Sequence, residues 1–405
     1  MSYITQFTVD GLAGRRGQLH FRLNRDVNIF WGLNGSGKTS LLRILHSALQ
    51  NDSQTIAKVP FEKATVTIYD ERYGATFIRT IDMTRADDEY PEEAIFSFDD
   101  EDPSRYEIRI PSKSARRVWR TRLAQRSSEA ARTSVKSRGL PEYFPHSYLP
   151  ISRVAERGDA RWRPSVRDFQ RTSTREGISD SLFDAVFADQ VKRRWTAYNT
   201  EALGVIQEVQ QQGLAEILSV LFSGSSKRGT ASAEPEDVAD AYGLVTTFLR
   251  RQGLKIRFDE KSFESRYKRQ QDMQDVVARI RQVMSEVDRA MLPQRNFQAL
   301  ISELYSGDKS ISLSAAGIYV KSGDERIALE SLSSGERQLL QILLEALASG
   351  EGTVIVDEPE LSMHVDWQRR LVNSMITVNA DCQLILATHS PEVMAEVSDS
   401  TIFEL

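Results

Sequence analysis

The sequence predicts an α/β fold, with strand patterns toward both ends of the chain and helical patterns between them. Three observations carry that expectation. Val27 to Trp31 is a short β-branched and aromatic run that leads into Gly32-Leu33-Asn34-Gly35-Ser36-Gly37-Lys38-Thr39 and then into a helical repeat. Far downstream, Thr353 to Val356 is a second apolar run, and it ends on Asp357 and Glu358. Between the two, Ser181 to Phe222 and Glu236 to Tyr305 place apolar residues at helical spacing.

Composition sets the outer limits. With 405 residues, 40% hydrophobic and 27% charged, the chain can bury one large core or two to three modules. The opening MSYITQFTVD has no basic stretch followed by an apolar run, and no window approaches 18 apolar residues. A cytoplasmic protein with no membrane contact is therefore expected. Cys382 is the only cysteine, which excludes an intrachain disulfide and a zinc hook built on paired cysteines. A net charge of -5 argues against a surface coated wholly by nucleic acid. The charge is uneven, with nine acids and no base from Asp87 to Asp102, and nine bases against Glu129 alone from Lys113 to Arg138. Two solvated loops fit this pattern, and so does an acidic docking loop beside a patch for DNA or an acidic partner.

Taken in order, Tyr3 to Val9, Leu19 to Leu23 and Ala64 to Tyr69 alternate as antiparallel strands do. Residues 32 to 39 fit G-x-x-x-x-G-K-[ST] without mismatch, and Leu41, Leu42, Leu45 and Leu49 continue as a helix. Glycines let the backbone curl until several N–H groups face one phosphate, at a helix N-terminus that favours negative charge. Asn34, Gly35, Ser36, Gly37, Lys38, Thr39 and Ser40 are the candidate nucleotide contacts, with Lys38 on the β- and γ-phosphates and Thr39 on Mg²⁺. Leu182, Val186, Trp195, Val209, Leu214, Ile217 and Leu221 mark a first arm helix, and SGSSKRGTASAEP at 223 to 235 reads as a turn after it. A straight helix over those 42 residues would reach about 63 Å, but Gly204 and Gly213 argue against an unbroken rod. RYKRQQDMQDVVARIRQ reads as a solvated helix face, with a partner-binding face as the lesser alternative.

The C-terminal part carries the remaining chemistry. Ser333 and Glu336 have capping-box spacing, Leu339 to Leu347 supply an apolar face, and Ser349-Gly350 ends that helix. Asp357 and Glu358 fall at the C-terminal end of a buried strand, the edge where open α/β sheets bind ligands. Asp357 is suited to hold Mg²⁺ through its water shell, and Glu358 to orient and deprotonate an attacking water. Gln383 to Ala387 forms another strand, and His389 in THSP follows at the same edge as a sensor of the γ-phosphate.

GLNGSGKT, LSSGE, VIVDEPE and ATHSP, in that order, resemble the phosphate loop, signature, acidic strand and switch histidine of ABC-type ATPases. The chain is most similar to the soluble branch that includes RecF, the SMC-type repair ATPases and the ATPase part of overcoming-lysogenization-defect (OLD) nucleases. DEPELSMH and ATHSP resemble the OLD-like group, which includes stand-alone ATPase subunits of bacterial phage-defence systems such as PARIS and Septu. The motif match covers residues 1 to about 50 and 328 to 395.

That resemblance implies an ABC-type P-loop ATPase head of mixed sheet with an antiparallel β layer. Residues 1–153 would form its N-terminal lobe, 154–310 an inserted helical arm, and 311–405 its C-terminal lobe. It implies ATP and Mg²⁺ as ligands, and a homo-oligomer of head-to-head dimers that sandwich ATP. Ser333 and Gly335 would then contact a γ-phosphate held by Lys38 of another copy. Arg15 and Arg16 in GLAGRRG become nucleotide-binding candidates, and YFPHSYLPISR at 143 to 153 the passage into the arm. Arg153 there would face the nucleotide or the dimer partner. No Q-loop glutamine is identifiable. No nuclease cluster appears, and the chain stops ten residues after Ala395, so the expected effector, a nuclease or toxin, is a separate protein answering to a phage-encoded trigger. A RecF-like repair ATPase with residues 113 to 138 on DNA is the alternative. A transporter subunit fits less well, because the arm replaces the membrane-coupling region.

Overall fold

The computed structural model describes residues 2–83, 95–98, 106–109, 118–124, 128–150, 177–223, 238–253, 259–305, 309–314 and 317–405. The N-terminal part contains β1 (Ser2–Asp10), β2 (Gln18–Arg22), β3 (Val27–Trp31), α1 (Lys38–Gln50), β4 (Lys63–Asp70) and β5 (Ala75–Asp82). β6 (Ile95–Phe98), β7 (Tyr106–Arg109), β8 (Arg120–Leu123), α2 (Glu129–Arg138) and β9 (His146–Leu149) follow. Next come the helices α3 (Gly177–Ser223), α4 (Val238–Arg251), α5 (Glu260–Arg269) and α6 (Gln271–Leu304). The C-terminal part holds β10 (Lys309–Ser314), β11 (Gly317–Ser322), β12 (Glu325–Ile327), α7 (Ser334–Ala348) and β13 (Thr353–Asp357). α8 (Val365–Val378), β14 (Gln383–Thr388), α9 (Pro391–Met394) and β15 (Ile402–Glu404) complete it.

Two sheets face one another across α1. The alternating strands form a seven-stranded antiparallel sheet in the order β2-β1-β4-β5-β8-β7-β6. Every second side chain is turned inward, so Ile4, Phe7, Val66, Ile68, Phe77 and Ile81 are buried with Leu41, Leu42, Leu45 and Leu49 of α1. The second sheet, β15-β3-β14-β13-β9, is parallel throughout, and β13 and β14 are buried at every position. A strand covered on both faces must be continuously apolar, which is why these two read as runs rather than alternations. Gln383, fully buried at the start of β14, joins the layers: its amide donates to the carbonyls of Ile4 (2.8 Å) and Asn24 (2.7 Å) and accepts from the Ile4 N–H (2.9 Å). This is the mixed α/β head with an antiparallel layer that the ABC-type resemblance implies.

α1 and β9 meet at two histidines. His146 Nδ1 donates to the Phe144 carbonyl at 2.8 Å, so its Nε2 is an acceptor and takes the proton of His46 Nδ1, also at 2.8 Å. Burial, reinforced by the neighbouring His146, pushes His46 down to about 3, and burial lowers His146 as well. An unfolded imidazole titrates near ~6.5, so at lower pH the unfolded chain takes up protons that the folded chain excludes. The contribution is present above that pH and is lost as the pH falls toward about 3. Urea unfolding between pH 7 and pH 4.5 should show wild type losing up to about 1.4 kcal/mol per pH unit more than His46→Gln. Parallel stability curves would contradict the assignment.

The helical insertion is a compact unit of its own, Thr196–Gln298. Of the expected arm, 154–310, residues 154–176 lie outside the described residues, and Arg194, Trp195 and Tyr305 pack on the head. Trp195 is fully buried and donates its Nε1–H to the Ser314 carbonyl (2.8 Å), while Arg194 bonds Ser147 (2.7 Å) and pairs with Glu345 (2.7 Å). On the other side Tyr305 is buried and donates to the Glu336 carbonyl (2.6 Å). Within the insertion, Ile217, Phe248, Val276, Ile280 and Val283 form one core and Ala241, Phe263 and Val277 a second. The segment RYKRQQDMQDVVARIRQ is thus only partly solvated: its apolar residues are core and its Arg279 pairs with Glu216. α3 is one helix over all 47 residues. Gly213 does not break it; a Cβ there would overlap Val283 of α6, so this glycine sets how closely α3 and α6 approach.

Arg153, Lys113, Arg116, Arg117, Arg126 and residues 224–235, 87–94 and 99–102 lie outside the described residues. Of the basic segment, Arg120 and Arg122 stand on β8, and Arg132, Lys136 and Arg138 on α2. Among the described residues no helix is long and apolar enough to cross a membrane.

Candidate functional site

Three neighbouring parallel strands end together and build the site. In register, Trp31 of β3 lies opposite Thr388 of β14, and Ala387 opposite Asp357 of β13. The phosphate loop, His389 and the Asp357–Glu358 pair therefore leave one sheet edge side by side.

The phosphate loop depends on two left-handed glycines, Gly35 (φ 84) and Gly37 (φ 98), and Gly37 caps α1. A Cβ on Gly37 would stand 3.4 Å from Leu12 and 3.7 Å from Ala13, so the 11–17 loop lies directly against the phosphate loop. Arg15 and Arg16 are exposed on that loop. Asn34 and Gly35 are exposed at the rim, Ser36 is buried, and Thr39 and Ser40 are half-buried on the first turn of α1. Lys38 is only 4% exposed, with its ammonium folded back onto the carbonyls of Gly32 (2.7 Å) and Leu33 (3.1 Å).

Asp357 is buried, and neither of its carboxylate oxygens has a hydrogen-bond partner. Burial raises its carboxyl to about 6, helped by the adjacent Glu358 and opposed by the nearby Thr39, Arg43 and Lys38. The Thr39 hydroxyl lies close enough to favour the charged form without completing a hydrogen bond. A desolvated carboxylate with open lone pairs beside a phosphate loop is the donor set a hard divalent cation takes up. Glu358, 15% exposed, has a left-handed backbone (φ 45), held by its N–H on the Ala387 carbonyl at 2.8 Å. A non-glycine residue in that region stores strain, and such strain concentrates at functional sites.

His389 sits between two carboxylates. Its Nδ1 is 3.1 Å from Glu360 Oε1 and 3.7 Å from Glu358 Oε1. Sequence reasoning missed Glu360, although it is the third carboxylate of the quoted DEPE. Pro359 alone separates it from Glu358, and both carboxylates lie within 4 Å of His389 Nδ1.

The signature segment is ordered as its spacing predicts. The Ser333 hydroxyl accepts from the Glu336 N–H (3.3 Å), and the Glu336 carboxylate accepts from the Ser333 N–H (2.6 Å). Burial opposes ionisation of Glu336, but the Ser333 donors and Lys309 outweigh it and hold the carboxyl below its usual range. Gly335 rests on the loop after β13, where a Cβ would collide with the Ser362 carbonyl, and Gln338 donates to the Pro359 carbonyl (2.6 Å). Among the described residues, no hydrogen bond or ion pair of one chain joins Ser333 or Gly335 to Lys38.

The family model described as "AAA domain, putative AbiEii toxin, Type IV TA system" matches residues 27–395. A stretch of 96 residues is 32% identical to the retron Vc95 probable ATPase of Vibrio cholerae serotype O1 biovar El Tor. It covers 20% of this chain and only 18% of that protein. The Pyrococcus furiosus Smc head domain with an extended coiled coil, bound to the C-terminal domain of ScpA, aligns at 13% identity with a TM-score of 0.41. That alignment covers 98% of this chain and 92% of the other. The SMC head domain of Thermotoga maritima aligns at 10% identity, TM-score 0.39, over 97% of this chain and 91% of its own.

Proposed function

The chain belongs to the AAA-domain family described as putative AbiEii toxin, Type IV TA system, and from that premise we propose an ATP-hydrolysing sensor and scaffold of bacterial phage defence. The observation that carries the ATPase reading is Asp357, a buried carboxylate with both oxygens open on the edge it shares with the phosphate loop. Lys38 and the loop N–H groups bind the β- and γ-phosphates, the ammonium exchanging two loop carbonyls for phosphate oxygens. Thr39 and Asp357 hold Mg²⁺, which when bound neutralises phosphate charge. Glu358 orients a water and accepts its proton, and His389 meets the γ-phosphate.

The helix N-terminus at Ser333 to Gly335, though capped within its own chain by Ser333 and Glu336, carries the partial positive charge that favours an anion. A homo-oligomer of sandwich dimers, with that helix end on a partner's nucleotide, uses it. A retron ATPase among the relatives supports the defence setting. In that setting a separate nuclease or toxin is the effector and a phage product the trigger.

Phosphate release and nucleotide binding test the site. Lys38→Ala should weaken ATP binding by about ten- to hundredfold, the worth of charge-assisted hydrogen bonds. Ser333→Arg should bind ATP and fail to turn it over. Mixed in equal amounts, the two variants should regain up to about a quarter of wild-type turnover, because half the dimers are mixed and each restores one of two sites. No recovery at any ratio counts against shared sites. The defence role predicts ATP-dependent co-purification of an effector and reduced plaque formation, and it fails if neither is seen.

A further inference from the structure

We propose that Glu360 is the positioning residue of the switch histidine, orienting the His389 ring with Nδ1 held inward and Nε2 left to meet the γ-phosphate. This rests on the reading of the site as an ATPase and adds a residue to it. Glu360 is 5% exposed, and one oxygen, Oε1, gathers three groups from the end of β14. The Thr388 hydroxyl donates to it at 2.6 Å, the His389 N–H at 2.9 Å, and His389 Nδ1 lies 3.1 Å away. The same oxygen therefore bonds the backbone of His389 and stands at ion-pair distance from its ring, while Oε2 is buried without a hydrogen-bond partner. A second brace stands behind: Gln368 of α8 donates to the Met363 carbonyl (2.9 Å) and accepts from the Ser390 hydroxyl (2.8 Å). The loop that bears Glu360 and the loop that bears His389 are thus tied to one helix.

A carboxylate is acceptor-only, so a ring nitrogen facing it carries the proton. The geometry sets Nδ1 toward the carboxylate; because phosphate oxygens also only accept, Nε2 meets them as a donor only with a proton of its own, in the imidazolium whose two nitrogens both donate. It also divides labour between two carboxylates of one motif. Glu358 lies farther from the ring, at 3.7 Å, and is more exposed, so its carboxylate is left for the attacking water while Glu360 engages the histidine.

The test uses the full chain and two readouts. With only five histidines in the sequence, long-range ¹H–¹⁵N spectra of histidine-labelled protein can be assigned by comparison with His389→Ala. The expected result is a proton on His389 Nδ1 in wild type and a changed protonation pattern in Glu360→Gln. In steady-state assays Glu360→Gln should lower kcat roughly tenfold or more, keep KM within about threefold, and cost nothing further in a His389→Ala background. An Nδ1 without a proton in wild type overturns the proposal, whether or not Glu360→Gln folds. So does a Glu360→Gln cost that multiplies with that of His389→Ala. Absent turnover in wild type would remove the ATPase reading and leave the ring spectrum to judge the orientation of His389.

Discussion

Glu358→Gln should lower kcat for ATP by roughly 10²- to 10⁴-fold while leaving nucleotide affinity unchanged. Gln has the size of Glu and the same backbone preference, so the φ 45 geometry and the N–H bond to Ala387 persist. What is lost is the ability to take a proton from water. The loss therefore falls on kcat, in the pattern of an interaction made only in the transition state. Because binding survives and release waits on hydrolysis, ATP-bound oligomers should accumulate and be visible by mass photometry. Single-turnover phosphate release beside equilibrium binding settles the matter. A variant with near-normal kcat would take the base role from Glu358.

Arg79→Met should cost about 3–5 kcal/mol of stability, the largest effect expected away from the chemistry. Arg79 is fully buried and has no carboxylate partner among the described residues. Its guanidinium donates to the carbonyls of Ala48, Leu49 (3.2 Å), Pro141 (2.7 Å) and Glu142 (2.8 Å) and to the Thr121 hydroxyl (3.1 Å), and it stacks over Phe144 at 4.6 Å. Two of those carbonyls lie in the last turn of α1, where a cation is favoured. Burial pushes the guanidinium down to about 9, still charged at neutral pH. Methionine fills most of the space and takes the guanidinium donor from four carbonyls and one hydroxyl, of which the Leu49 carbonyl keeps the Phe144 N–H (2.9 Å). Urea unfolding at pH 7.5 measures the loss, and a change below about 1 kcal/mol would contradict it.

Which parts of this molecule were legible in the sequence follows from the range of the interactions that fix them. The phosphate loop, the Ser333–Glu336 box and the carboxylates after β13 are local patterns, and each stands where its spacing put it. Arg79 reads as one polar position in an alternating strand; its partners come from α1, β8 and the 141–142 loop, which no pattern joins. His146 to Leu149 was quoted only as a passage into the arm, yet it forms the parallel edge strand beside β13. Parallel pairing across such a separation has no turn to announce it. Gly213 was taken for a weakness in α3, because a helix interior penalises glycine on its own, whereas its reason is a side chain on α6. Glu360 was missed for the same cause: its partners lie 28 and 29 residues onward, on another strand.

Gly335 has no room for a side chain against the Ser362 carbonyl, and Gln338 is bonded to Pro359 between the two motif carboxylates. In the proposed sandwich dimer the helix end facing the neighbour's ATP would therefore rest on the segment that carries Glu358 of its own chain. In such a dimer this contact would link the two nucleotides, and the expected result is a Hill coefficient that departs from one in wild-type turnover.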